Sequence, residues 1–153
     1  MTFTTLLHND NIQIDTVAKS KASVLLNMSQ LLSQCYPELD ARTLFNAYWE
    51  RENLGSTTIG HGIMIPHIRV ASIHKTYGCF IRLQHAVDFD AEDKQPIDLV
   101  FGLAVAAADA NQYLDTLASI VERFDDPTFR SECRRAQNQM SLVRCLTRPR
   151  VLT

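Results

Sequence analysis

Apolar residues in the first third of the chain recur at helical spacing. Val24, Leu25, Met28, Leu31, Leu32 and Cys35 share one face, which predicts an amphipathic helix over about residues 20–36. Pro37 ends it. Asp40 is placed as the N-cap of a second helix with Leu44, Phe45 and Tyr48 as its buried stripe, ending near 51–53 with Gly55 in the turn. A short apolar segment, TLLHNDNIQID, precedes both. The period then changes. In TYGCFIRLQ, Tyr77, Cys79, Ile81 and Leu83 alternate with smaller or polar residues, as in a half-buried strand. IDLVFGLAVA is a near-continuous apolar run between Pro96 and residues 109–111, which suits a strand covered on both faces. Helical spacing returns with Leu114, Leu117, Ile120, Val121 and Phe124. Asp126–Pro127 reads as an N-cap with proline at the first helical position. Met140, Leu142, Val143 and Leu146 predict a short last helix before a C-terminal tail, 148–153. Helices, then strands, then helices, with one strand fully buried, predict an α/β fold: a mixed β-sheet flanked by α-helices on both faces.

Composition narrows this further. The 153 residues, 46% hydrophobic and 21% charged, suit one globular domain that buries roughly 70% of the surface its unfolded chain exposes. No repeat or Pro/Gly/Ser linker divides it, so a single domain is expected over 5–147. A net charge of −2 with no run of Lys and Arg gives no footprint for nucleic acid or an anionic membrane. The longest apolar stretch, LVFGLAVAAA, is well short of the ~20 residues that span a bilayer, so no membrane insertion is expected. The N-terminus carries neither a basic region nor a long apolar one, as a signal peptide would. Cys35, Cys79, Cys133 and Cys145 form no CxxC pair and read as free thiols in a reducing compartment. A cytoplasmic location follows from these readings.

The chemistry concentrates in STTIGHGIMIPHIRV, residues 56–70. Pro66 fixes its own φ and biases Ile65 towards extended backbone, so His67 leaves the strand in a set direction. Gly60 and Gly62 allow a tight turn able to aim backbone N–H groups at one point. Ser56, Thr57 and Thr58 bring three hydroxyls, and Arg51 and Arg69 bring guanidinium forks that match phosphate oxygens. Such a set can serve phosphoryl transfer through a phosphohistidine, in which a neutral imidazole attacks and fixed donors hold the moving charge. Two other readings of the residues stay open: a structural histidine at a strand end, or a metal ligand. The metal reading lacks a third ligand beside His61 and His67, and no Walker A, G-x-S-x-G or dinucleotide pattern is present. No cofactor is expected.

The segment RENLGSTTIGHGIMIPHIRV resembles the active-site motif of the enzyme IIA domains of the phosphoenolpyruvate-dependent phosphotransferase system, fructose/mannitol class. The shared residues are Arg51-Glu52, Ser56-Thr57, Ile59-Gly60, Gly62-Ile63 and Ile65-Pro66-His67. RLQHAVDFDAEDKQPIDLVFGLAV and YLDTLASIVERFDD extend the resemblance over nearly the whole chain. A single domain without an attached IIB portion looks most like the nitrogen-regulatory branch. The resemblance implies a mixed sheet with helices on both faces and a phosphotransferase component with a phosphohistidine intermediate. It implies that His67 accepts the phosphoryl group from an HPr-like carrier, with Arg51, Ser56 and Thr57 binding it. The sequence departs from the family pattern at Ile68 (usually glycine), Met64 (usually alanine) and Tyr113, which stands where a second histidine is common. At that position a hydroxyl can donate to a phosphoryl oxygen but cannot act as a base near neutral pH. His61 stands where asparagine is common. His8, His74 and His85 read as surface or packing residues. The expected function is a regulatory phosphocarrier that controls partner proteins. Alternatives are a sugar-specific enzyme IIA that passes phosphate to a IIB domain, and a binding module that acts unphosphorylated.

Overall fold

The structure is a computed structural model that describes residues 3–149. A short helix α1 (Phe3–Leu6) and a 3₁₀ turn lead into strand β1 (Ile12–Thr16). Helices α2 (Lys21–Cys35) and α3 (Ala41–Leu54) follow. Next come four strands, β2 (Thr58–Gly60), β3 (Ile63–Met64), β4 (His67–Val70) and β5 (Tyr77–Val87), and then β6 (Ile97–Ala106). Helices α4 (Tyr113–Phe124), α5 (Pro127–Arg135) and α6 (Gln139–Thr147) complete the described chain. The expected C-terminal tail lies outside the described residues from 150 onward. Its first residue, Arg148, pairs with Glu132 at 2.6 Å.

Local chemistry sets several helix starts. The Ser20 hydroxyl accepts from Ser23 N at 3.1 Å, the Asp40 carboxylate from Thr43 N at 3.0 Å, and Asp126 from Thr128 N at 2.9 Å with Pro127 at the first helical position. Each bond satisfies an amide that has no partner inside its own helix.

The six strands form one mixed sheet in the order β1-β5-β6-β3-β2, with β4 also on β6. β5 and β6 run antiparallel, while β1 on β5 and both β3 and β4 on β6 run parallel. Helices cover both faces, as the sequence pattern predicts. On one face Val24, Leu25, Met28 and Leu32 of α2 and Leu44 and Tyr48 of α3 pack on Cys79, Ile81, Val100 and Ala104. On the other, Ile120, Phe124, Phe129, Leu142 and Leu146 pack on Phe80, Leu99, Phe101 and Leu103. The two sets alternate along β5 and β6, as the pleat requires. Helix α2 lies so close to β6 that a Cβ at Gly102 would collide with Met28 Sδ.

Three details differ from the sequence pattern. β5 is not half-buried, because it lies between β1 and β6 with helices on both faces, and Gly78 to Leu83 are all buried. That burial includes Arg82, whose Nη1 donates to the carbonyls of Cys133 and Ala136 at 3.0 and 2.6 Å and so caps the end of α5. On α4 the buried line is Thr116, Ile120 and Phe124, with Tyr113 and Leu117 packed beside it. Leu114 and Val121 point away from that line and are exposed. On α6, Cys145 joins Leu142 and Leu146 in the core, while Met140 is exposed.

Candidate active site

β3 and β4 run along β6 in a single register: Ile63 pairs with Leu99 and His67 with Leu103, the same offset on either side of Pro66. Proline has no N–H to give the ladder, yet its carbonyl still accepts from Leu103 N at 2.9 Å. The strand is thus interrupted without slipping, and His67 opens its second half. The His67 ring is anchored by Nδ1 to the Ile65 carbonyl at 2.8 Å. A carbonyl only accepts, so Nδ1 carries the proton and the neutral ring keeps its free lone pair on Nε2.

Helix α3 is tied to the same place in the sheet. The Tyr48 hydroxyl, fully buried, donates to the Leu103 carbonyl at 2.6 Å, and Leu103 is the residue opposite His67. Burial pushes the Tyr48 phenol well above its usual range, so it remains a donor. Arg51 follows about one turn later in the helix and is half-buried. Its Nη1 donates to the Gly55 carbonyl at 2.8 Å beyond the last turn, the end of a helix where a cation is favoured. Four of the five guanidinium N–H groups remain outside that bond.

Between these elements lies a pocket of about 450 Å³. Its wall includes Glu50, Arg51 and Leu54 of α3, His67 and Arg69 of β4, and Tyr113, the first residue of α4. Alternation along a strand puts His67 and Arg69 on one face, and the Arg69 guanidinium lies 5.0 Å from the centroid of the Tyr113 ring. Two cations, one carboxylate and a phenol thus surround the histidine, a balance that suits a small anion. Arg69 is one of the two arginines that the sequence offers beside the motif, and strand alternation explains its place here. Glu50 gave no signal of its own, since only the helix direction brings it to the pocket.

The sequence places Ser56 and Thr57 beside these groups, but their hydroxyls are engaged elsewhere. Ser56 Oγ pairs with Thr58 Oγ1 at 2.6 Å, and buried Thr57 donates to Glu52 Oε2 at 2.8 Å. The Thr57 carbonyl meanwhile accepts from Ile65 N at 2.9 Å, which braces the strand just before His67.

The Gly60–Gly62 segment is a hairpin turn between β2 and β3. His61 and Gly62 have φ of 59° and 80°, the left-handed pair that a tight hairpin needs. Its amide is not turned to the pocket's use: His61 N donates to Asp93 Oδ2 at 2.9 Å. The His61 carbonyl accepts from Arg134 Nη2, and Arg134 in turn binds Asp98 through Nε and Nη2 at 3.0 and 2.9 Å. The His61 side chain is exposed, as are those of His8, His74 and His85. Among the described residues, no group of three or more His, Cys, Asp or Glu side chains is placed to hold a metal ion. None of the described helices is long and apolar enough to cross a membrane.

A histidine with a fixed tautomer, set at a proline-interrupted strand and faced by arginine, is what the motif in the sequence would build. Residues 5–148 match the family described as phosphoenolpyruvate-dependent sugar phosphotransferase system, EIIA 2, and the chain belongs to that family. Within it, the chain is 37% identical over 123 residues to the nitrogen regulatory protein of Pseudomonas aeruginosa, covering 80% of each. The crystal structure of nitrogen regulatory protein IIA-Ntr from Neisseria meningitidis superposes with a TM-score of 0.86 at 29% identity, over 94% of this chain and 98% of that one. The mannitol IIA of Escherichia coli shares the fold, with a TM-score of 0.73 at 23% identity, over 92% and 98% of the two chains.

Proposed function

We propose that the chain is a regulatory phosphocarrier in which His67 Nε2 accepts a phosphoryl group from the phosphohistidine of an HPr-like carrier protein. The observation that carries this reading is the bond from Nδ1 to the Ile65 carbonyl. It presents Nε2 with its lone pair free in a pocket that holds two arginines. In the transfer, the bond from phosphorus to the carrier's imidazole breaks as the bond to Nε2 forms, and the released electron pair returns to the carrier's nitrogen. Positive charge that develops on the His67 ring is stabilised through the Nδ1–H bond to the carbonyl. Arg51 and Arg69 hold the phosphoryl oxygens, and Tyr113 donates its hydroxyl to them. Leu54, 81% exposed at the pocket wall, offers the carrier an apolar contact. Ser56 and Thr57 act through the loop: their bonds to Thr58 and Glu52 fix the segment that braces Ile65. Passing phosphate to a IIB domain would use the same chemistry, but the 37% identity to a nitrogen regulatory protein favours the regulatory role.

The test is incubation with phosphoenolpyruvate, an enzyme I and the carrier, followed by intact mass. The protein should gain one acid-labile, alkali-stable phosphoryl group, and His67→Ala should gain none. Full labelling of His67→Ala would remove His67 from the reaction.

A further inference from the structure

Away from the His67 pocket, two of the free cysteines are brought together by helices α5 and α6. Cys133 Sγ and Cys145 Sγ lie 3.5 Å apart in the core of the helical face. Their surroundings differ. Cys133 is wholly enclosed, whereas Cys145 is 8% exposed and lines a surface pocket of about 660 Å³ with Arg135, Arg144 and Arg148. Glu132 faces the same sulfur at 3.9 Å and is itself held by Arg148 at 2.6 Å.

We propose that Cys133 and Cys145 are an oxidisable dithiol, in which Cys145 meets hydrogen peroxide from the surface pocket and Cys133 resolves the product to an intramolecular disulfide. In the first step the Cys145 thiolate attacks one peroxide oxygen, the O–O bond breaks, hydroxide leaves and Cys145 becomes a sulfenic acid. In the second, Cys133 sulfur attacks Cys145 sulfur, its proton goes to the departing hydroxyl as water, and the disulfide closes. The two sulfurs are oxidised and the peroxide is reduced to two waters once the hydroxide takes up a proton. The approach from 3.5 Å to the roughly 2.0 Å of a disulfide is a small movement of two facing side chains.

The electrostatics assign the roles in the same order. The Cys145 thiol is held below its usual range chiefly by the hydrogen bond from Cys133, with Arg148 and Arg123 adding, while burial and Glu132 oppose. That same bond, together with burial, pushes the Cys133 thiol far upward, so Cys133 keeps its proton and donates it. A thiolate beside arginines and open to a pocket is the reactive kind, and an enclosed thiol is not. Cys35 provides an internal contrast. It is more exposed than either, yet its thiol is raised by burial and by Asp10 and it donates to the Asp10 carbonyl at 3.1 Å. Cys79 is fully buried, and that burial is the chief cause that pushes its thiol up, with Cys35 adding. Arg134, next to Cys133, also grips the His61 carbonyl and Asp98, so the disulfide would form at the helix end that braces the hairpin ahead of His67.

The test treats the full chain with hydrogen peroxide, alkylates remaining thiols and digests with trypsin, which cuts after Arg134 and Arg144. The expected product is one peptide pair joined through Cys133 and Cys145 and separated again by dithiothreitol, with Cys35 still alkylated. In Cys133→Ser the oxidised Cys145 should instead be captured by dimedone as a sulfenic acid. In Cys145→Ser the remaining Cys133 should stay reduced. Recovery of both peptides unlinked after peroxide, or oxidation of Cys35 ahead of the pair, would overturn the proposal.

Discussion

His61 and His67 stand six residues apart in one motif, and the fold gives them opposite circumstances. His67 is held by its ring: Nδ1 is bound to the Ile65 carbonyl, and the side chain lines a pocket with Arg51, Arg69 and Tyr113. His61 is held by its backbone: its amide is bound by Asp93, its carbonyl by Arg134, and its side chain is exposed at a positive φ. The difference teaches what makes a histidine chemically useful. A defined tautomer and a cavity of matching charge count for more than closeness in sequence to glycines and hydroxyls. At 61 the residue serves the chain's path; at 67 the path serves the residue.

The largest expected effect is the complete loss of labelling in His67→Ala, and a control at His61 tests the contrast directly. His61→Gly should keep full phosphorylation in the assay that His67→Ala fails. Glycine adopts φ of 59° without strain, so stability should change by less than about 1 kcal/mol. Loss of labelling in His61→Gly would erase the distinction between the two histidines.

A smaller effect should come from Gly62, on the backbone side of the comparison. A Cβ there would lie 2.7 Å from Arg134 Nη2, 3.0 Å from Asp98 Oδ1 and 3.1 Å from the Pro96 carbonyl, at φ of 80°. Gly62→Ala should cost about 2 kcal/mol in urea unfolding, through left-handed strain together with displacement of the Arg134–Asp98 pair. A change within about 0.5 kcal/mol would show the hairpin to be more yielding than its contacts imply.

The smallest belongs to the ring side. Tyr113→Phe keeps the packing of Tyr113 against its core cluster and the ring beneath Arg69, and removes only the hydroxyl. One donor in an open pocket contributes about 1 kcal/mol. The phosphohistidine lifetime should therefore fall severalfold with unfolding unchanged, as read by time-resolved loss of the added mass. An unaltered lifetime would leave Arg51 and Arg69 as the groups that hold the phosphoryl oxygens.

By itself the sequence determined what short-range physics controls. Ser20, Asp40 and Asp126–Pro127 set helix starts because a cap bonds an amide two or three residues away. The near-continuous apolar run of 97–106 announced a strand covered on both faces, and Pro66 marked the residue after it. The motif around His67 was legible for the same reason, since its histidine, proline and glycines lie within a few residues of one another. Tertiary structure alone decided the rest. Which side of α4 is buried, why Arg82 can sit inside the sheet, and why the Ser56 and Thr57 hydroxyls bond to Thr58 and Glu52 all depend on neighbours that propensity does not name. Arg69 meets Tyr113 across 44 positions (113 − 69), and Arg134 meets the His61 carbonyl across 73. Cys133 meets Cys145 only because α5 folds back against α6. Hydrophobic periodicity tells a helix which residues are apolar; the sheet it lands on decides which of them are covered and which polar groups end up facing one another.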